Sequence, residues 1–241
     1  MPKRTNESRP QIAVGKGQQE SKLRPMCGRF VNNETIPAMR QRWAAGGPEV
    51  EWQPSWNVCP TRQVPVLLGG ERGRRLGLMR WGWNPPALRG RLLVNCRGEE
   101  AAGKRLFQQV VRQQRCCIPA SAFYEWQPAQ AKGDKAVPFA FAPVSGGLVA
   151  IGALWQNDGD AAQVILMTVP ANQTVAPVHD RMPLTIADDQ LDAWLAGSTP
   201  WEEVAPLIVP SPATAWRRWR VGFGVSNNRR DEPGLLEPMP D

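Results

Sequence analysis

The chain has 241 residues, 42% of them hydrophobic, with 11 Trp against 6 Phe and 1 Tyr, ample for a buried core in one large or two small domains. The 24 Pro and 22 Gly exclude a helical bundle in favour of short strands and many turns, and no stretch is long and apolar enough to span a membrane. The net charge is +7, but residues 1–25 hold six cations against Glu7 and Glu20 and leave the rest only +3, so attraction to phosphate must come from local patches and not from bulk charge.

Residues 1–25 read as a polar, flexible leader with no hydrophobic period and no secretory apolar core. The sequence changes character at Met26. A strand over 28–31 precedes a helix over 38–43, and strands follow at 64–68, 76–81 and 92–95, bounded by Gly, Pro or charged turns. Residues 104–114 read as a helix with Leu106, Phe107, Val110 and Val111 on one face. Further strands are expected at 116–118, 123–127, 139–142, 148–155 and 164–169, with exposed hairpin loops at 130–136 and 157–161. Asp188 reads as the N-cap of a helix that turns Leu191, Trp194 and Leu195 inward. No linker divides the body, so one β-rich α+β domain is the simplest account.

Five cysteines (Cys27, Cys59, Cys96, Cys116, Cys117), no C-x-x-C spacing and a single histidine argue against a zinc site. A soluble, reducing, cytoplasmic setting fits this usage. Cys27 directly follows Met26. If the chain begins or is cut there and Met26 is lost, Cys27 becomes a 1,2-aminothiol, whose amine condenses with an aldehyde and whose sulfur then closes a thiazolidine ring. The plainer reading is a small residue near a start codon.

His179 stands between Pro177 and Pro183, a setting that suits a ring held in one orientation for proton transfer; a structural histidine in a turn is the alternative. Glu125, in Phe123-Tyr124-Glu125-Trp126, either shares a buried face with Phe123, where its pKa rises, or faces solvent while Tyr124 and Trp126 face the core. Asn95, Arg97 and Glu99 alternate, so a strand would project all three to one side, as a polar site or as a surface ladder. Trp81 and Trp83 flank Gly82 and are core anchors or platforms for stacking bases.

Seven segments appear together in one order: Met26-Cys27-Gly28-Arg29-Phe30, Trp56-Asn57-Val58-Cys59-Pro60-Thr61, Arg80-Trp81-Gly82-Trp83, Asn95-Cys96-Arg97-Gly98-Glu99, Cys116-Cys117-Ile118-Pro119-Ala120, Phe123-Tyr124-Glu125-Trp126 and His179-Asp180-Arg181-Met182-Pro183. From Met26 to about Pro238 the chain resembles the SOS response-associated peptidase (SRAP) family. The resemblance implies one α+β domain over 26–241, β-rich, with a mainly antiparallel, barrel-like sheet and a few flanking helices. It implies binding of single-stranded DNA and a covalent thiazolidine cross-link between an N-terminal Cys27 and the aldehyde of an abasic site. By that pattern Asn95 would orient the cysteine and hold the sugar, Glu125 would shuttle protons, and His179 would open the sugar ring and assist reversal or strand scission by β-elimination. Arg29, Arg97 and Arg181 would meet phosphates, and Trp81 and Trp126 would pack against nucleotides flanking the lesion.

Two departures stand out. Family members usually start at the Met-Cys pair, whereas 25 residues precede Met26 here. While they remain, Cys27 has an amide nitrogen and no ring can form, so either Met26 is the true start or the leader is removed, autocatalytically in the manner the peptidase name suggests. Cys96 also replaces a common alanine. The rival functions are a cysteine peptidase acting on itself or another protein, and a non-catalytic single-stranded DNA-binding module. No metal or organic cofactor, no membrane and no oligomer is called for; a monomer is expected.

Overall fold

The computed structural model describes residues 27–71, 73–159 and 161–240; the leader read at 1–25 lies outside them. Thirteen strands carry the described fold: β1 (Phe30–Asn32), β2 (Ser55–Val58), β3 (Gln63–Leu68), β4 (Arg75–Trp81), β5 (Asn95–Arg97), β6 (Arg115–Ala120), β7 (Ala122–Gln127), β8 (Val137–Pro143), β9 (Val149–Asp158), β10 (Ala161–Pro170), β11 (Arg181–Pro183), β12 (Thr185–Ile186) and β13 (Trp216–Arg220). Short helices flank them: α1 (Ile36–Trp43), α2 (Gly98–Ala101), α3 (Val110–Gln113), α4 (Leu191–Leu195) and α5 (Trp201–Val204).

Strands β10, β4, β3, β6 and β9 pair in succession, and β9 pairs back to β10, so five strands close a barrel. Only the β10–β4 pairing in that ring is parallel. The second sheet runs β13-β8-β7-β1-β2, antiparallel throughout. This is the β-rich α+β domain, mainly antiparallel and barrel-like, that the sequence implies. No described helix is long and apolar enough to cross a membrane.

Both faces of the second sheet bury side chains. Phe123 and Phe141 face the main core, where they stack at 4.8 Å with Trp216 edge-on to Phe123. Val31, Tyr124, Ala140 and Ala142 face the other way and pack under Val221, Val225 and Leu236 of the C-terminal segment. That double burial explains why residues 122–125 are all buried, and why the alternation there carries no polar-out signal.

Helix α1 forms for local reasons. The Thr35 hydroxyl accepts from Ala38 N, Pro37 sits in the first turn, and Ala44 closes the helix in the left-handed region at φ 48°. Its buried residues Ile36, Met39 and Trp43 make one stripe. Elsewhere tertiary demand overrides pattern. The helix expected over 104–114 shrinks to α3, with turns before it. Phe107 and Val111 stay buried at helical spacing, and Gln114 O is taken by Trp155 N of β9. The strand expected at 92–95 slips to Asn95–Arg97, because β10 accepts those residues in parallel register, while Leu93 only bridges Trp83. Asp188 caps nothing: it opens a 3-10 turn after Ala187, and its carboxylate accepts from Arg42 at 2.6 Å. Leu191, Trp194 and Leu195 are buried as expected.

Arg115, 2% exposed, ties this side together. Its guanidinium donates to the carbonyls of Val111, Arg112, Trp194 (2.8 Å), Ala196 and Thr199. A buried charge is tolerated there because carbonyl oxygens replace its water.

Candidate active site

Strand β1 runs antiparallel to β7, with Phe30 opposite Phe123 and Arg29 O accepting from Tyr124 N. The residues before β1 are therefore carried toward Glu125. There the Cys27 backbone nitrogen donates to Glu125 Oε1 at 2.6 Å. Cys27 holds φ 44°, a left-handed conformation that costs a non-glycine residue about 1–2 kcal/mol. Cys27 is 1% exposed and Glu125 2%.

Burial pushes the Cys27 thiol well above its ordinary value, Glu125 raises it further by charge and by a hydrogen bond, and Arg181 opposes. Burial likewise raises the Glu125 carboxyl, opposed first by the charge of His179 and then by hydrogen bonds from Cys27. Glu125 shares the face of Phe123, and its neighbours Tyr124 and Trp126 pack on the opposite face. Of the two orientations the alternation allowed, the enclosed one is found.

His179 is held by its segment. Residues 171–180 are pinned by Gln127 Nε2 on Pro177 O (3.0 Å), Arg218 Nη1 on Thr174 O (2.9 Å) and Thr174 Oγ1 on Ala213 O (2.9 Å). Buried Val175 and Val178 anchor its inner side. His179 Nδ1 accepts from Arg181 N at 3.0 Å and lies 3.1 Å from Asp180 Oδ1. In the neutral ring that bond places the hydrogen on Nε2.

Arg181 is 8% exposed and grips both oxygens of the Glu99 carboxylate, while Nη2 also donates to Thr168 O at 2.7 Å. Burial raises the Glu99 carboxyl, but the bond from Arg181, a backbone bond and the Arg181 charge outweigh it and leave the pKa lowered. Thr168 Oγ1 also donates to Cys96 O at 3.1 Å, which joins this corner to β5.

Asn95 is half-buried on β5, opposite Leu166 of β10. Arg97 is exposed and pairs with Glu100 at 2.8 Å, not with Glu99. The expected alternation of Asn95, Arg97 and Glu99 along one strand does not occur, because β5 ends at Arg97 and Glu99 lies in the first turn of α2. Gly98 makes that corner possible: a Cβ there would sit 2.5 Å from Ile208 Cγ2. Cys96 is buried, and burial pushes its thiol up to about 12; it fills space.

Arg29 donates to Asn57 Oδ1 (2.9 Å) and to the carbonyls of Val225 (2.6 Å) and Ser226 (3.4 Å). Trp126 is half-buried and donates to Ser226 Oγ at 3.0 Å. Trp81 corrects an expectation. It is 0% exposed, lies 5.0 Å from Phe30 and donates to Val94 O, so no indole face is open to a base. Trp83 is equally buried against Phe107.

The structure thus gathers Cys27, Glu125, His179 and Arg181, and places Arg29 and Trp126 at the C-terminal segment. Sequence reasoning missed the bracing residues. Asn57 donates to the carbonyls of Val225, Asn227 and Arg230, and Asp231 accepts from Ser55 Oγ, Trp56 N, Asn57 N and Arg62. Among the described residues no three His, Cys, Asp or Glu side chains gather to hold a metal ion.

Comparison with known proteins extends this picture. The family described as SOS response associated peptidase (SRAP) matches residues 26–228. The abasic site processing protein YoqW of Bacillus subtilis is 28% identical over 88% of this chain and 99% of its own length. The abasic site processing protein YedK of Escherichia coli is 27% identical over 89% of this chain and 100% of its own. The fold is shared with a crystal structure of a Bacteroides thetaiotaomicron protein at TM-score 0.78 and 15% identity, which covers 88% of this chain and all of that one.

Proposed function

The chain belongs to the SOS response associated peptidase family, and from that premise we propose that it processes abasic sites in single-stranded DNA through a covalent bond to Cys27. The observation that carries the reading is the 2.6 Å contact between the Cys27 nitrogen and a buried carboxyl whose pKa is raised. The chemistry requires that nitrogen to be a free amine, so the working form begins at Cys27.

The order of events follows from the thiol's burial. A thiol pushed above its ordinary range stays protonated, so the amine attacks the aldehyde carbon first. The carbinolamine loses water to give an imine, with Glu125 taking a proton from nitrogen and returning it to the departing hydroxyl. The sulfur then adds to the imine carbon as its proton passes to Glu125 and on to the ring nitrogen. Aldehyde and aminothiol thereby become a thiazolidine with the loss of one water. His179, fixed through Nδ1, is the group to protonate the sugar oxygen on ring opening, and Asn95 the amide to hold the sugar. Arg29, Arg97 and Arg181 supply positive charge for phosphates, and Trp126 an aromatic edge.

One observation also favours self-processing. The nitrogen bonded to Glu125 is the one that leaves when the Met26–Cys27 peptide bond is hydrolysed. It needs a proton at that moment, and the carboxyl beside it is the donor. The left-handed Cys27 adds strain next to the same bond.

The test uses protein that begins at Cys27, incubated with an abasic oligonucleotide and run on a denaturing gel with intact mass. The expected product is a heat-stable adduct of protein plus oligonucleotide less one water. Cys27→Ala keeps the amine, so it forms an imine trapped only by reduction and shifts toward strand scission. No adduct from confirmed Cys27-initiated protein refutes the proposal.

A further inference from the structure

The edge strand β13 reads Trp216-Arg217-Arg218-Trp219-Arg220, a composition the proposed chemistry does not use. Its register sets Arg218 against Phe141 and Arg220 against Phe139. Strand β8 in turn sets Phe141 against Phe123 and Phe139 against Glu125. Paired residues project to the same face of a sheet. Arg218 and Arg220 therefore lie on the face of Glu125, and Arg217 and Trp219 lie on the other, where Arg217 stacks over Trp219 at 5.2 Å. Two strand spacings, roughly 10 Å, separate the Cα atoms of Arg220 and Glu125.

The two arginines on the site face differ in what holds them. Arg218 is spent on Thr174 O, in the segment that carries His179. Arg220 is exposed, and among the described residues its guanidinium has no hydrogen-bond or ion-pair partner. The arginines expected to meet phosphates are already engaged: Arg29 by Asn57 and Val225, Arg97 by Glu100 and Arg181 by Glu99. A phosphate must compete with a protein acceptor at each of these, and at Arg220 with water alone. Along the two strands between it and the site, no exposed acid opposes it. Strand β8 carries no charged residue, and the one acid on β7 is the enclosed Glu125.

We infer that Arg220 binds the backbone phosphate of a nucleotide flanking the lesion and extends the DNA surface across β8 to the sheet edge. The inference rests on the abasic-site reading above. A monodentate contact through a flexible exposed side chain affects affinity and leaves the bond-forming step alone.

The experiment measures binding of Cys27-initiated protein to a single-stranded oligonucleotide with a tetrahydrofuran abasic analogue, which lacks the aldehyde, by anisotropy over a salt series. Arg220→Ala should bind several-fold more weakly at low salt, and its slope of log K against log salt should fall by about 0.7, the share of one single-strand phosphate. Arg220→Lys should restore most of the slope, and Arg217→Ala, on the opposite face, should keep it. The adduct rate at saturating aldehydic DNA should match wild type in all three. A full slope in Arg220→Ala, or an equal loss in Arg217→Ala, overturns the inference while wild type still binds and cross-links. A wild type that neither binds the analogue nor cross-links sinks the parent reading, and the inference with it.

Discussion

Glu99→Ala removes the acceptor that neutralises Arg181. In the parent structure that guanidinium is 8% exposed, bonded to both Glu99 oxygens and to Thr168 O. Leaving a buried charge without its partner costs about 3–5 kcal/mol in enclosed pairs. Here the Glu99 side chain is 39% exposed, so water reaches the vacated space, and the Thr168 bond survives. Both discount the cost to about 2 kcal/mol. At this chain length each kcal/mol moves the melting temperature by about 2–4 °C, so a fall of about 4–8 °C is expected near neutral pH. The pH dependence has a definite sign. Glu99 is held below the ordinary 4.5 in the folded state, so its contribution is present above that value and is lost as pH falls through the lowered pKa. The gap between wild type and variant should therefore close in acid. Circular-dichroism melts at neutral and acid pH measure both effects, and Glu99→Gln, which keeps a neutral acceptor, should fall between. A variant that melts within about 1 °C of wild type at neutral pH, or a gap indifferent to pH, refutes the reasoning.

Glu125→Gln should run the opposite way. A carboxyl whose folded pKa is raised above 4.5 loses stability for the protein as pH rises through that window, so the amide variant should be the more stable one at neutral pH and equal to wild type in acid. Urea midpoints across pH check this, and the same variant should form the adduct far more slowly; a less stable variant at neutral pH contradicts the assignment. Asp231→Ala strips acceptors from Ser55, Trp56, Asn57 and Arg62 and should cost about 2–3 kcal/mol by leaving backbone donors unpaired. Limited proteolysis should then cut the C-terminal segment first. Unchanged cleavage would mean that Asn57 alone secures it.

Strands rich in apolar and aromatic residues were legible: 64–68, 76–81, 123–127 and 164–169 all lie within observed strands. Cys27, Glu125 and His179, singled out separately along the chain, are brought together by the fold. What the pattern missed has physical causes. Strands β2, β11, β12 and β13 are short or polar, and they exist because a neighbour supplies hydrogen bonds; Trp216–Arg220 is defined by β8, not by its own alternation. Glu99 looked like a rung beside Arg97 because local spacing cannot reveal a partner 82 residues away. Trp81 read from its own segment favoured packing, the family resemblance implied stacking, and its full burial decides for packing.

Strand β10 takes β9 and then β11 along one margin, β4 and then β5 along the other. Asn95 and Arg181 are thus hung from a common rail, so a shift of β10 carries both. Two side chains borne by separate elements would drift independently; two borne by neighbours of one strand are tied to the same displacement.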